Sequence, residues 1–215
     1  MSGERKEVAQ LGRKIYDKRL VAGTWGNISI RLEEHQNQFA ITPSGMDYLK
    51  LEPKDIVILN LKGEKIQGKK NPSTEKPLHR YIYKNRKDVN AIIHTHSTFA
   101  SAVACTRKKI PPIIEDMVQI IGGSVRTAKY ELPGSEDLAK SVLTALRDRN
   151  AALLANHGAV SVGPDGETSL KTAEILEKSA KIFLFSKLIG APQKLSEEDV
   201  ETMKKIYKSE YGQEG

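Results

Sequence analysis

Between residues 4 and 20 the apolar residues Val8, Leu11 and Ile15 recur at intervals of three and four, which predicts an amphipathic helix with one buried stripe. Past Gly23 and Gly26 the pattern shortens. Apolar stretches at 28–32, 39–42 and 56–61 are separated by turn signals at 43–45 and 62–63, the pattern of an antiparallel meander packed on that helix. Ser73 and Thr74, followed by Glu75, mark a helix entry, with hydroxyls that can cap and an acid in the first turn. Leu78 and Ile82 give that helix its inner face. A short apolar run at 89–94 predicts a buried strand, and 98–105 returns as a helix. Ser135 caps a further helix, with Glu136 and Asp137 in its first turn and Leu138, Val142, Ala145 and Leu146 inward. Residues 151–162 are again strand-like, broken at Asn156, His157 and Gly158. A long helix is predicted from about 168 to 189, stopped by Gly190 with Pro192 beyond. With no internal repeat, low-complexity tract or dividing linker, residues 1–215 read as one α/β domain, with 196–215 as a C-terminal helix or tail.

Composition narrows the class. The 215 residues are 39% hydrophobic and 28% charged, ordinary globular usage that argues against disordered and fibrous chains. No apolar run approaches the roughly 20 residues of a spanning helix, and the opening MSGERKEVAQ is too polar for a signal peptide. A soluble, cytoplasmic protein with no membrane partner is expected. The single cysteine, Cys105, excludes an internal disulfide or a cysteine zinc cluster; in its run of small residues it reads as a buried packing residue. The net charge of +7 suits nucleic acid or a phosphorylated small molecule alike. No zinc-knuckle, RRM or KH signature accompanies the lysines, so nucleic acid is not expected.

The sharpest chemical signal is His94-Thr95-His96. On a strand, residues two apart share a face, so the two imidazoles stand side by side where a buried strand ends. His157 also ends an apolar strand, and Gly158 lets the backbone turn close beside it. Three neutral imidazoles with an open fourth position form a catalytic zinc arrangement. No carboxylate follows His96 within a few residues, which argues against a cupin barrel. His35 and His79, in polar surroundings, are expected in solvent. Residues 63–69 match the first seven positions of a P-loop, but Lys70, Asn71 and Pro72 follow, so the magnesium-binding hydroxyl and the helix are missing; a hairpin with an exposed lysine end is expected. Gly26-Asn27, Ser44-Gly45 and Ser73-Thr74 each offer backbone N–H groups or hydroxyls to an anion. Their force depends on the fold bringing them together.

In order, Gly-Thr-Trp-Gly-Asn-Ile-Ser at 23–29, Ile-Thr-Pro-Ser-Gly at 41–45, Pro-Ser-Thr-Glu at 72–75, His-Thr-His at 94–96 and Asn-His-Gly at 156–158 resemble the class II sugar-phosphate aldolase/epimerase family. The L-fuculose-1-phosphate aldolase branch is the nearest in pattern. The resemblance implies a three-layer α/β/α domain with a central, largely antiparallel sheet, assembled as a tetramer with active sites at subunit interfaces. It matches His94, His96 and His157 to the zinc ligands. Glu75 matches a carboxylate that binds the metal in the resting site and acts as base on the substrate. Gly26, Asn27, Ser44, Gly45, Ser73 and Thr74 match the phosphate pocket. The implied reaction is metal-dependent cleavage of a ketose 1-phosphate to dihydroxyacetone phosphate and a short aldehyde such as lactaldehyde. Other divalent ions suit the same donors.

Two departures refine the branch. The related epimerases carry Asp where Glu75 stands, which favours cleavage over epimerisation. The fuculose enzymes have a tyrosine, reaching in from a neighbouring subunit, where Asp116 stands. Glu115 or Asp116 then serves as the acid on the aldehyde half, Asp116 being the choice, and a dehydratase within the family stays open as an alternative. The family's C-terminal tail brings a tyrosine to the site, with Tyr207 and Tyr211 both candidates. A non-catalytic, adducin-like interaction domain is the rival from another class, disfavoured by the presence of all three histidines with Glu75.

Overall fold

The computed structural model describes residues 3–210, with side chains to 207. The first amphipathic stripe folds as α1 (Gly3–Asp17), with Val8, Leu11 and Ile15 buried. The meander follows as β1 (Asn27–Arg31), β2 (Gln38–Ile41), β3 (Val57–Asn60) and β4 (Lys65–Gln67). The remaining elements are α2 (Lys76–Asn85), β5 (Ala91–Thr95), α3 (Thr98–Cys105), α4 (Glu115–Ile121), β6 (Thr127–Ala128), α5 (Glu136–Leu146), β7 (Ala151–Leu154), β8 (Gly158–Gly163), α6 (Gly166–Ile189) and α7 (Glu197–Glu210). The eight strands form one sheet in the order β4-β3-β2-β1-β5-β8-β7-β6, antiparallel except for the β6–β7 pair. Helices cover both faces, giving an α/β/α domain. No helix among the described residues is long and apolar enough to cross a membrane.

Strand alternation explains the layers. In β5, Ile93 turns to α1 and packs with Val8, Leu11 and Ile28. Ile92 turns the other way, into the core that α2 and α5 close with Leu78, Ile82, Leu138 and Val142. A third cluster lies under α3, α4 and α6. Complete burial of a Leu or Ile is worth roughly 1.5–3 kcal/mol each, so the flanks of β5 hold this central strand rigidly. It pairs with β1 on one side and β8 on the other.

The 63–69 segment belongs to a hairpin, as expected, whose second arm is the strand β4 with all three residues exposed. Three details differ from the sequence expectation. The helix α4 had no counterpart in the pattern. Cys105 is exposed rather than buried, because α3 turns Ala100, Val103 and Ala104 inward and position 105 falls off that face. At the start of α2, Glu75 occupies the capping position without making a side-chain cap. The Ser73 hydroxyl accepts the Glu75 N–H at 3.2 Å, and the Glu75 carboxylate turns away to stronger partners.

Candidate metal centre and active site

Those partners are three imidazoles. His94 lies on β5 directly opposite Asn27 of β1. His96 follows one residue past the strand end, on the same face, and His157 sits in the turn joining β7 to β8. Two glycines permit this approach. A Cβ at Gly158 would fall 2.2 Å from the Thr95 carbonyl oxygen. One at Gly26, whose φ is +85°, would fall 2.7 Å from the His94 carbonyl oxygen. Side chains at either position would push β5 and its histidines out of place.

One potential ligand atom from each of Glu75, His94, His96 and His157 lies within 4.8 Å of all the others. Glu75 Oε2 is 2.9 Å from His94 Nε2, and Oε1 is 3.4 Å from His157 Nε2. His94 Nδ1 donates to the Ala159 carbonyl at 2.9 Å, which turns Nε2 inward, where it meets His96 Nε2 at 3.0 Å. Glu75 Oε1 and His157 Nδ1 are buried without a hydrogen bond. Convergent ring nitrogens around a carboxylate, with orphaned buried atoms, are the donor set of a divalent cation. The residues fit the metal that the chemistry calls for.

The electrostatics agree. Burial alone would raise the Glu75 carboxyl; the charge and hydrogen bond of His94, the charge of His157 and the Asn27 N–H outweigh it and hold the group well below the usual carboxylate range. His96 is pushed down to about 3 and His157 to about 4, by burial first and then by the charge of His94. The cluster therefore presents an ionised carboxylate beside two rings that resist protonation, His96 and His157, while Glu75 and the Ala159 carbonyl raise His94 against its burial.

The three anion-binding candidates are adjacent. Thr42 N–H donates to the Ile28 carbonyl at 3.0 Å, and the Thr42 hydroxyl accepts from Ile28 N–H at 3.2 Å. Pro43 and Pro72 form a β-bridge; Ser44 N–H reaches the Asn71 carbonyl and Ser73 N–H the Thr42 carbonyl, at 3.0 and 3.1 Å. Gly26-Asn27, Ser44-Gly45 and Ser73-Thr74 are thus held along one cross-linked edge. The backbone N–H groups of Ser44 and Ser73 are consumed in holding it. The hydroxyls, with the N–H groups of Gly26, Gly45 and Thr74, are the donors left over.

His79 corrects the sequence reading. It was expected in solvent and is fully buried, with Nδ1 2.6 Å from the Ser29 hydroxyl and Nε2 2.5 Å from Asn27 Oδ1. Its signal was present in the chain: on α2 it shares a face with Leu78, Ile82 and Tyr83, all buried. Asp116 lies outside the histidine cluster, at the start of α4, where it pairs with Lys178 of α6; Glu115 beside it and His35 are exposed. Tyr207 lies on α7 with the Lys171 ammonium 5.8 Å from its ring centroid. Tyr211 falls outside the described residues. Trp25, two-thirds exposed, stands with its ring 5.6 Å from that of His96.

Known proteins share this arrangement of chain. The profile of the Class II Aldolase and Adducin N-terminal domain family matches residues 6–184. A 5-deoxy-D-ribulose 1-phosphate aldolase of Bacillus thuringiensis is 38% identical over 211 residues, 98% of each chain. An L-fuculose phosphate aldolase of Escherichia coli K12 is 34% identical over 191 residues, 88% of this chain and 86% of its own. A solved L-fuculose 1-phosphate aldolase superposes with a TM-score of 0.93 at 35% identity, covering 97% of both chains. The protein belongs to the class II aldolase family, and its activity is that of a lyase.

Proposed function

We propose that the protein is a zinc-dependent aldolase that reversibly cleaves a ketose 1-phosphate between C3 and C4, yielding dihydroxyacetone phosphate and a short aldehyde. The observation that carries this reading is the convergence of Glu75 with three imidazoles beside an edge rich in free N–H and hydroxyl donors. A divalent cation held by His94, His96 and His157 would stabilise the charge that develops on the enediolate oxygens as the bond breaks, an effect worth several kcal/mol. Glu75 holds or moves the proton at C3, a role typically contributing about 10²–10⁴ in rate. Gly26, Asn27, Ser44, Gly45, Ser73 and Thr74 bind the phosphate, which fixes the reacting carbon over the carboxylate. Asp116, delivered across a subunit interface of a homotetramer, handles the proton of the aldehyde oxygen. The setting is the cytoplasm.

Two methyl-terminated substrates suit the site. 5-Deoxyribulose 1-phosphate would release acetaldehyde, and L-fuculose 1-phosphate would release lactaldehyde. The near-full-length likeness to the 5-deoxyribulose enzyme favours the first, and Trp25 beside His96 offers apolar surface to a terminal methyl group. Dehydration of a related pentulose phosphate is the second reading, favoured by the carboxylate at position 116. Release of dihydroxyacetone phosphate from each sugar, with and without a chelator, tests the proposal. Chelator-sensitive release supports aldol cleavage and ranks the substrates; loss of water without triose phosphate establishes the dehydratase instead.

A further inference from the structure

Behind the candidate active site, Glu75 and Asn27 continue into a buried chain of polar groups, His79, Ser29 and Tyr83, to which the proposed reaction gives no role. Glu75 Oε2 takes a hydrogen bond from Asn27 Nδ2 at 2.9 Å. Asn27 Oδ1 lies 2.5 Å from His79 Nε2, His79 Nδ1 lies 2.6 Å from Ser29 Oγ, and Ser29 Oγ lies 2.8 Å from the Tyr83 hydroxyl. Ser29, His79 and Tyr83 are wholly buried and Asn27 nearly so. Away from bulk water, a mismatched pair of donors or acceptors would be costly.

The direction of every bond follows from one end. An ionised carboxylate only accepts, so the Asn27 amide must present its NH2 to Glu75 and its carbonyl oxygen to His79. His79 must then carry its proton on Nε2. Its Nδ1 is left as an acceptor, which commits the single Ser29 hydroxyl proton to it. The Tyr83 hydroxyl must in turn donate to Ser29 at 2.8 Å, in preference to the Asn90 carbonyl at 3.3 Å. For a neutral His79 ring, this is the one pattern that satisfies the whole chain; a charged ring would reverse the Ser29–Tyr83 bond and send the Tyr83 proton to the Asn90 carbonyl.

We propose that His79 is a positioning residue: its Nε2–H locks the Asn27 amide with the NH2 on Glu75, and thereby fixes how the carboxylate faces the three imidazoles. Without that N–H, the Asn27 carbonyl oxygen is buried with no donor, and an amide that shifts to find one carries its NH2 away from Glu75 and frees the carboxylate to turn. Burial, with the charge of His94, pushes the His79 ring down to about 3, against the pull of Glu75, which agrees with a neutral ring.

The kinetic half of this inference rests on the aldol reading above; the tautomer does not. In protein labelled with ¹⁵N at histidine, long-range proton–nitrogen spectra are expected to show His79 as the single neutral Nε2–H form at neutral pH. In kinetics, His79→Phe should lower kcat by roughly 10–100-fold, the usual effect of losing such an outer partner, while KM stays within about twofold. His79→Gln, which restores a donor near Nε2, should recover most of the loss. An Nδ1–H or charged ring in the wild-type spectrum overturns the proposal, even if the protein cleaves no ketose phosphate. A folded His79→Phe as active as wild type, or a Gln variant no better than Phe, overturns it equally. If the Phe variant does not fold, the spectrum and the Gln variant decide.

Discussion

Asn27 and His94 are direct partners across the β1–β5 ladder, and both reach the same oxygen of Glu75. Oε2 lies 2.9 Å from Asn27 Nδ2 and 2.9 Å from His94 Nε2. A carboxylate at a helix start is thus aimed by two neighbouring strands, and the register of that one pairing decides whether the site exists.

Glu75→Gln keeps the shape of the side chain and removes its charge. Cleavage of the preferred ketose 1-phosphate is expected to fall by roughly 10²–10⁴ in kcat, with the thermal midpoint little changed. Turnover near the wild-type rate would take Glu75 out of the chemistry.

Metal content should track the imidazoles. Zinc-loaded wild type is expected to retain one equivalent per chain after dialysis, as measured by elemental analysis, and His94→Ala or His157→Ala much less. Equal retention by all three proteins would place the ion elsewhere.

Gly158→Ala forces a Cβ to within 2.2 Å of the Thr95 carbonyl. That oxygen belongs to the β5 backbone and cannot yield without disturbing the β5–β8 ladder. A loss of about 1–3 kcal/mol is expected, at roughly 2–4 °C per kcal/mol in a melt of a chain this size. An unshifted melt would contradict the packing described.

Acid should destabilise the fold through His79. Facing Ser29, Asn27 and Tyr83, with Glu75 and His94 nearby, the ring is pushed from 6.5 to about 3. The unfolded chain takes up a proton as pH falls through about 6.5, whereas the folded chain does so only near 3. Stability is therefore full above about 6.5 and declines below it, by about 1.4 kcal/mol per pH unit for this ring alone. His96 and His157 act in the same direction in the metal-free protein. Urea denaturation of metal-free protein between about pH 4 and 6 should show a shallower slope for His79→Gln than for wild type, by about that amount.

Asp116→Asn is expected to slow cleavage while leaving metal content unchanged. Because Asp116 pairs with Lys178 in the same chain, Lys178→Met is the control that separates loss of the pair from loss of the acid. Wild-type turnover in Asp116→Asn would assign the aldehyde proton to another group.

The strands and helices that carry a clean period were legible in the sequence. His94 and His96 announce a shared face because a strand repeats every second residue, and Ser135 caps α5 by accepting from Leu138 N–H at 3.0 Å. Their convergence with Glu75 and His157 was legible only through the family resemblance and not from periodicity, since it depends on the β1–β5–β8 register and on close approaches at Gly26 and Gly158. His79 was misread from its polar surroundings along the chain, whereas on α2 it lies on the buried side with Leu78, Ile82 and Tyr83. The local pattern showed Glu75 only as a first-turn acid, and the resemblance alone assigned it to the metal site, where imidazoles and an amide hold it. The small residues before Cys105 suggested an interior, but a short helix on a surface layer buries only one side.

The outermost strands of the sheet, β4 and β6, contain three and two residues. Each exposes too few unpaired backbone groups to template another strand, and β4 opens on Lys65, a charge that an incoming chain would have to bury. Although the sheet is eight strands wide, it is guarded at both borders against growth into fibrils or edge-to-edge aggregates.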